Sequence, residues 1–296
     1  MSLLAFQSVL SRILVDANFR DQFIRCPQVA CEEYRLSATE FKSLSGIDKA
    51  RLALHSRNLL IGRIHLALNA LPLTRELAET YIARLAEPYA RFAVPRPGAA
   101  APAYREGLRF CDFLLSGAAA DVGLPEFVND IVRFDRSTLL LVYSASALRD
   151  AQAAAQVTEA FCCDSTTVLV PGRHVVTLQF VSDFREALIT RTSADFPVPR
   201  PVPLNLVLMR RPDTPDVRIV VINDSVLELI NRFDGTRSCR DVVSSFSGGC
   251  VNHAIHAVAK LYELGLFLRR AEPASKGDDA GADCRSRPPC NLRGGW

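Results

Sequence analysis

Residues 203–237, PLNLVLMRRPDTPDVRIVVINDSVLELINRFDGTR, decide the fold. Leu204 to Met209 and Val217 to Ile222 are two aliphatic runs of strand length, separated by the turn formers Pro212-Asp213-Thr214-Pro215. They should pair as an antiparallel hairpin. Asn223 and Asp224 then offer an N-cap, Ser225 and Glu228 have capping-box spacing, and Val226, Leu227, Leu229, Ile230 and Phe233 supply an apolar stripe. Asp234-Gly235 closes that helix, because glycine accepts the left-handed backbone at a helix C-terminus.

Working outward toward the C-terminus, a short helix is predicted over Ser238 to Phe246, with Ser247-Gly248-Gly249 as a break. A third helix follows, with Val251, Ala254, Ile255, Val258, Leu261 and Leu264 on one face and Asn252, His253, His256, Lys260 and Glu263 elsewhere on its surface. Leu264-Gly265-Leu266-Phe267 turns the chain into a last extended piece. Strands, three helices and a closing strand make residues 203–270 a winged-helix-like unit. The remainder, 271–296, is rich in Gly, Asp, Arg and Pro and reads as a disordered tail.

Toward the N-terminus the period is helical. Leu3, Leu4, Phe6, Val9, Leu10, Ile13 and Leu14 mark an amphipathic helix ending near Asp16, and Phe19, Phe23 and Ile24 a second one stopping before Pro27. Ser37 and Glu40 have capping-box spacing. A long helix runs from about Asp48 to Ala70, with Arg51, Arg57 and Arg63 on a face read as solvated. Pro72 breaks it and Thr74 should cap the next helix. After the proline-bearing loop Val94 to Pro102, helices resume around Tyr104 to Leu114 and Pro125 to Val142. Residues 1–156 therefore read as a helical bundle. Beyond Phe161 the period switches: Thr166 to Val170, the turn Pro171-Gly172 and Val175 to Val181 predict a hairpin, with Ala187 to Arg191 as a candidate strand and 196–203 as a proline-rich linker. The fold class is α+β, with a hairpin region over 157–202.

At 296 residues and 49% hydrophobic, the chain has apolar material for more than one core. A net charge of +3 is too mild for binding nucleic acid mainly through charge, which favours a specific partner. None of the nine cysteines forms a CxxC pair, so no zinc site is expected. The absence of a basic leader before an apolar run, and of any run long enough to span a bilayer, predicts a cytoplasmic protein without a membrane segment. Cys162-Cys163 reads as buried and inert, and His55 and His65, ten apart, do not share one metal-binding face. Neither a phosphate-binding glycine loop nor a nucleophile elbow is present, so no catalytic residue and no metal ligand is assigned to this chain.

The run Val226-Leu227-Glu228-Leu229-Ile230, then Phe233-Asp234-Gly235-Thr236-Arg237, Val242-Val243 and Leu261-Tyr262-Glu263-Leu264-Gly265-Leu266, resembles the PqqD-like leader-recognition domains of peptide-modification systems. Taken with the helical first half opening Leu3-Leu4-Ala5-Phe6-Gln7, the whole chain is similar to accessory subunits of multinuclear iron oxidases, and most of all to the C-subunit family of methanobactin biosynthesis. The resemblance implies a non-catalytic subunit that binds a precursor-peptide leader and presents a core cysteine to an iron-containing barrel oxidase for oxazolone and thioamide formation with dioxygen. The iron is expected in that partner, with no cofactor in this chain, and residues 1–156 become a partner-docking body. In the family the leader adds a strand to the third strand of the sheet, in a groove against the last helix. Carried onto this chain, that implies a peptide-binding set of Val217, Arg218, Ile219, Val220, Val221 and Ile222 with His253, His256 and Lys260. The alternative is a winged-helix DNA-binding regulator, disfavoured because the third helix offers Asn252, His253, His256 and Lys260 but no arginine for base readout.

Overall fold

The computed structural model describes residues 3–93, 102–156, 161, 163, 167–190, 197–246 and 251–270. The expected features at 94–101, at Gly248-Gly249 and in the 271–296 tail lie outside the described residues. The fold mixes helices with small sheets, as an α+β reading requires.

Ten α-helices come first. They are α1 (Leu3–Val15), α2 (Ala17–Arg25), α3 (Pro27–Cys31), α4 (Ala38–Ser45), α5 (Lys49–Leu68), α6 (Pro72–Ala78), α7 (Ile82–Phe92), α8 (Ala103–Leu115), α9 (Val128–Tyr143) and α10 (Ala145–Ala155). Their starts follow local chemistry. Asp16 caps α2 by accepting the Phe19 N–H at 3.0 Å, and Asp48 caps α5 through the amides of Ala50 and Arg51. Ser37 and Glu40 form the full reciprocal box at α4. Thr74, expected as a cap, lies inside α6, where Pro72 occupies the first turn. Its backbone N–H donates instead to buried Asp135 of α9 at 2.7 Å. A long-range carboxylate does the work assigned to a local hydroxyl.

The β-region departs from the sequence reading in its pairing. Strand β1 (Leu169–Pro171) does not form a hairpin with β2 (Val175–Phe180); it pairs antiparallel with the last strand, β5 (Phe267–Arg269). Strand β2 pairs with β3 (Leu204–Arg210), and β3 with β4 (Val217–Ile222), giving an antiparallel sheet of order β2-β3-β4. Only the β3–β4 hairpin matches the expectation. The candidate strand at Ala187 to Arg191 is a helix, α11 (Arg185–Thr190), whose Ala187 is buried against the sheet. After β4 come α12 (Asp224–Asn231), α13 (Cys239–Ser244) and α14 (Val251–Glu263). Asn223 alone caps α12, accepting the Val226 N–H at 2.9 Å, so the Ser225–Glu228 spacing is not the cap.

Strand β3 is buried from Leu204 through Met209 because both of its faces are covered. Leu204, Leu206 and Leu208 join a core with Ile131, Phe134 and Leu141 of α9 and with Phe180 and Phe184. Val207 and Met209 join another with Leu229, Ile230, Val242, Val258 and Leu261 of the C-terminal helices. The sheet is the middle layer between the α9 side and α12–α14. Polar ties fix that stack. Arg210 Nη1 donates to the carbonyls of Leu141, at 2.7 Å, and Val142, closing the C-terminus of α9 onto the end of β3. Asp130 accepts the N–H groups of Val181 and Ser182 at 3.1 Å each, beyond the end of β2. Asn205, the one polar side chain buried in β3, donates to Asp224 at the start of α12 at 2.5 Å.

The bundle has its own buried charge. Glu106, in α8, pairs with Arg63 of α5 and accepts the Tyr89 hydroxyl at 2.5 Å, while Arg63 also donates to Ala93 O at 2.6 Å. Burial and the adjacent carboxylate push the Tyr89 hydroxyl well above the usual phenol range. Arg63 thus leaves the solvated face on which Arg51 and Arg57 remain exposed. The double-sided burial of β3 carries a measurable consequence. Leu206→Ala should cost about 2–5 kcal/mol in urea unfolding, whereas Val221→Ala, half exposed on β4, should stay within about 0.5 kcal/mol; equal costs would contradict a sheet enclosed on both sides.

Candidate functional site: an open sheet edge

Among the described residues strand β4 is an edge strand, bonded to β3 on one side only. The Arg211 N–H donates to Asp216 O at 3.1 Å just ahead of the ladder, and the Arg210 N–H donates to His174 O at 2.9 Å on the other side of β3. Antiparallel pairing alternates bonded and non-bonded pairs from those anchors. With the register Arg218 opposite Met209, Val220 opposite Val207 and Ile222 opposite Asn205, these three β4 residues turn their backbone groups toward β3. Val217, Ile219 and Val221 therefore direct their N–H and C=O groups to the open edge.

The side chains divide the same way. Val217 and Ile219 pack toward the α9-side core and border a cleft of about 310 Å³ with Pro72, Leu73, Phe134 and Leu188. Val220 and Ile222 pack into the core shared with α14, while Arg218 is exposed and Val221 is half exposed. Among the described residues the sheet edge thus offers backbone groups without a strand partner, beside a trough walled by α6 and α9 in which Leu73 and Phe134 sit with Asp135, Thr138 and Asp216.

His253, His256 and Lys260 occupy a different place. All three lie on the solvent face of α14, opposite its buried stripe of Ala254, Val258, Leu261 and Tyr262. Lys260 faces Glu263 one turn on, at 3.6 Å. None of the three lines the cleft beside β4. The structure brings the six strand residues together as one edge and leaves the three helix residues as a separate surface row.

A second cleft, of about 570 Å³, lies between α10, the end of β3 and the C-terminal turn of α14. His174, which the sequence reading did not single out, lines it and is almost fully buried. Nothing distinguishes this histidine in sequence beyond its place after Pro171-Gly172. Its Nε2 lies 2.7 Å from Gly265 O; a carbonyl only accepts, so the proton of the neutral ring sits on Nε2. Nδ1 is buried without a partner, and a Cβ on Gly172 would come within 2.3 Å of it. Desolvation pushes the His174 pKa below the ordinary histidine value, with the Gly265 bond opposing that shift.

Cys163 Sγ lies 3.2 Å from Cys239 Sγ, a contact invisible in a sequence where the two are 76 residues apart. Cys163 is half-buried and Cys239 fully buried; Cys162 is outside the described residues. Among the described residues no three His, Cys, Asp or Glu side chains converge as a metal site, and no helix is long and apolar enough to cross a membrane. Compared with known proteins, the chain matches no family model and no curated relative.

The His174 environment dictates a sign for pH dependence. The unfolded chain binds a proton near pH 6.5 and the folded chain only at lower pH, so this residue's contribution to stability is intact above about pH 6.5 and is lost progressively as pH falls from there through the lower pKa of the folded state. Urea midpoints at about pH 8 and about pH 5.5 should therefore separate more in the wild type than in His174→Gln, which has no proton to gain. An equal drop in both proteins would remove His174 as the cause.

Proposed function

We propose that this chain is a peptide-binding accessory protein that takes a substrate segment as an added strand along β4. The particular reading is a leader-recognition subunit of the kind found in methanobactin biosynthesis. It holds a cysteine-bearing precursor while an iron-containing barrel oxidase, bound by the helical half, carries out the dioxygen-dependent oxidation that forms oxazolone and thioamide. In this reading the chain supplies binding and orientation, and the partner supplies the metal.

The observation that carries the proposal is the open β4 edge. Outward-turned donors and acceptors at Val217, Ile219 and Val221 are what an incoming strand satisfies, and strand addition obtains affinity from the main chain and selectivity from alternate side-chain pockets. A peptide strand lying there would turn every second side chain toward the trough beside Leu73 and Phe134. With α11 inserted between β2 and β3, the sheet of β2, β3 and β4 followed by α12, α13 and α14 fits the strands-then-helices order of a PqqD-like domain, and β4 is the third strand of that set. His253, His256 and Lys260 fit a contact with peptide residues beyond the added strand, or with the oxidase, from their row on α14.

The alternation selects the variant. Proline at Val221 removes one outward donor and leaves the β3 ladder intact, whereas proline at Val220 removes a donor already bonded to β3 and would damage the sheet itself. In calorimetry with a synthetic methanobactin-type precursor leader, Val221→Pro should weaken binding about tenfold or more, with Val221→Thr close to wild type. Unchanged affinity in a folded Val221→Pro protein would sink strand addition. Co-expression with an iron-containing barrel oxidase of the methanobactin type should yield a complex whose iron follows the partner; iron that stays with this chain after the partner is removed would reassign the metal.

A further inference from the structure

We infer that Cys163 and Cys239 form a redox-responsive pair, a site of reversible disulfide formation that staples the C-terminal module. Their sulfurs are 3.2 Å apart, and a disulfide needs about 2.05 Å, so closing the bond takes a side-chain adjustment of about 1 Å. The backbone around the pair is already held. The Cys239 N–H donates to Thr167 O at 2.7 Å, Val168 forms an antiparallel bridge with Ser238, and the Arg270 N–H donates to Val168 O at 3.0 Å. Thr167 and Val168 thus run beside the start of α13 in a fixed register, and Cys163 brings its sulfur to that of Cys239.

The two sulfurs differ in access, which orders the chemistry. Cys163 is half-buried and reachable from solvent, whereas Cys239 is completely enclosed among Val242, Val243 and Phe267. With hydrogen peroxide as oxidant, the Cys163 thiolate attacks one oxygen; the S–O bond forms, the O–O bond breaks and hydroxide leaves, taking up a proton as water. The Cys239 sulfur then attacks the sulfenic sulfur, forming the S–S bond and expelling the second oxygen, which leaves as water with the remaining thiol proton. Two thiols lose two electrons and one peroxide gains them. A dithiol reductant reverses the bond by exchange.

The crosslink closes a loop containing β1, the whole β2-β3-β4 sheet, α11 and α12. Restricting that loop in the unfolded chain raises the stability of the module around the open edge. By contrast, Cys31 and Cys111 are buried with their thiols pushed up by desolvation, which suits packing and not exchange.

The test is a peptide map of the full-length native chain after mild hydrogen peroxide, alkylated and digested without reductant. The expected product is one Cys163–Cys239 linked peptide pair lighter by two hydrogens, formed in monomeric protein and released by dithiothreitol. Oxidation should raise the thermal midpoint of the wild type and leave that of Cys163→Ser unchanged. Cys239 still carrying the alkylating label after peroxide, Cys239 joined to Cys162 or to a second chain, or an equal midpoint shift in Cys163→Ser, each overturns the assignment. The wild-type map stands whether or not a variant folds.

Discussion

Leu204, Leu206 and Leu208 turn one way from β3 while Val207 and Met209 turn the other, and the rest of the architecture is arranged around that division. A strand's side chains alternate, so a strand apolar on both faces needs a cover on each. The α9-side helices supply one cover and the C-terminal helices the other. Neither half can bury β3 alone, which is why a helical bundle and a strand-then-helix unit, distinct in sequence, share a single sheet. The sole polar interruption, Asn205, falls on the C-terminal side and is satisfied there by Asp224. It fixes where α12 starts relative to the strand.

Enclosing the sheet on both faces leaves the edges as its open backbone, and the two edges differ. β2, of the same six-residue length as β4, runs directly into the turn at Val181 and Ser182, tied down by Asp130. β4 instead has a trough beside its outward groups, bordered by Leu73 and Phe134. An edge held by packing above and below is already ordered, so the ordering cost of an added strand would fall on that strand and little on the protein. The contacts that hold it come from α6 and α9 as well as from the C-terminal helices, so a peptide on β4 would touch both halves of the chain.

What could be read from sequence follows the range of the interactions involved. The β3–β4 hairpin, the cap at Ser37, the start of α5 near Asp48 and the stripe of α14 were legible, because a turn, a cap or a helical period involves residues a few positions apart. The pairing of β1 with β5 was not: Pro171-Gly172 is turn chemistry and β2 is adjacent, so a hairpin is the local solution, and only the tertiary packing brings Phe267 to Pro171. Arg63 failed for the same reason. Its helical phase places it near Arg51 and Arg57, but Glu106, buried 43 residues later, draws it inward. For the candidate site, the six strand residues were legible as a strand, but which of them face outward depends on a register that Asp216 and His174 set from both sides of β3.

The separation of His253, His256 and Lys260 from the β4 trough bears on how a two-part ligand would be read. A strand added at Val217, Ile219 and Val221 obtains its affinity from backbone, which discriminates weakly between sequences. Selectivity must come from side-chain pockets, and the one bordering this edge mixes apolar Leu73, Phe134 and Leu188 with Asp135, Thr138 and Asp216. The outward row of His253, His256 and Lys260 on α14 is a second polar surface attached to the same core. Since Val220 and Ile222 pack into the core that also holds Val258 and Leu261, the strand edge and the helix row are fixed relative to one another by a shared apolar interior. A ligand engaging both surfaces would be measured against a spacing fixed by that shared interior.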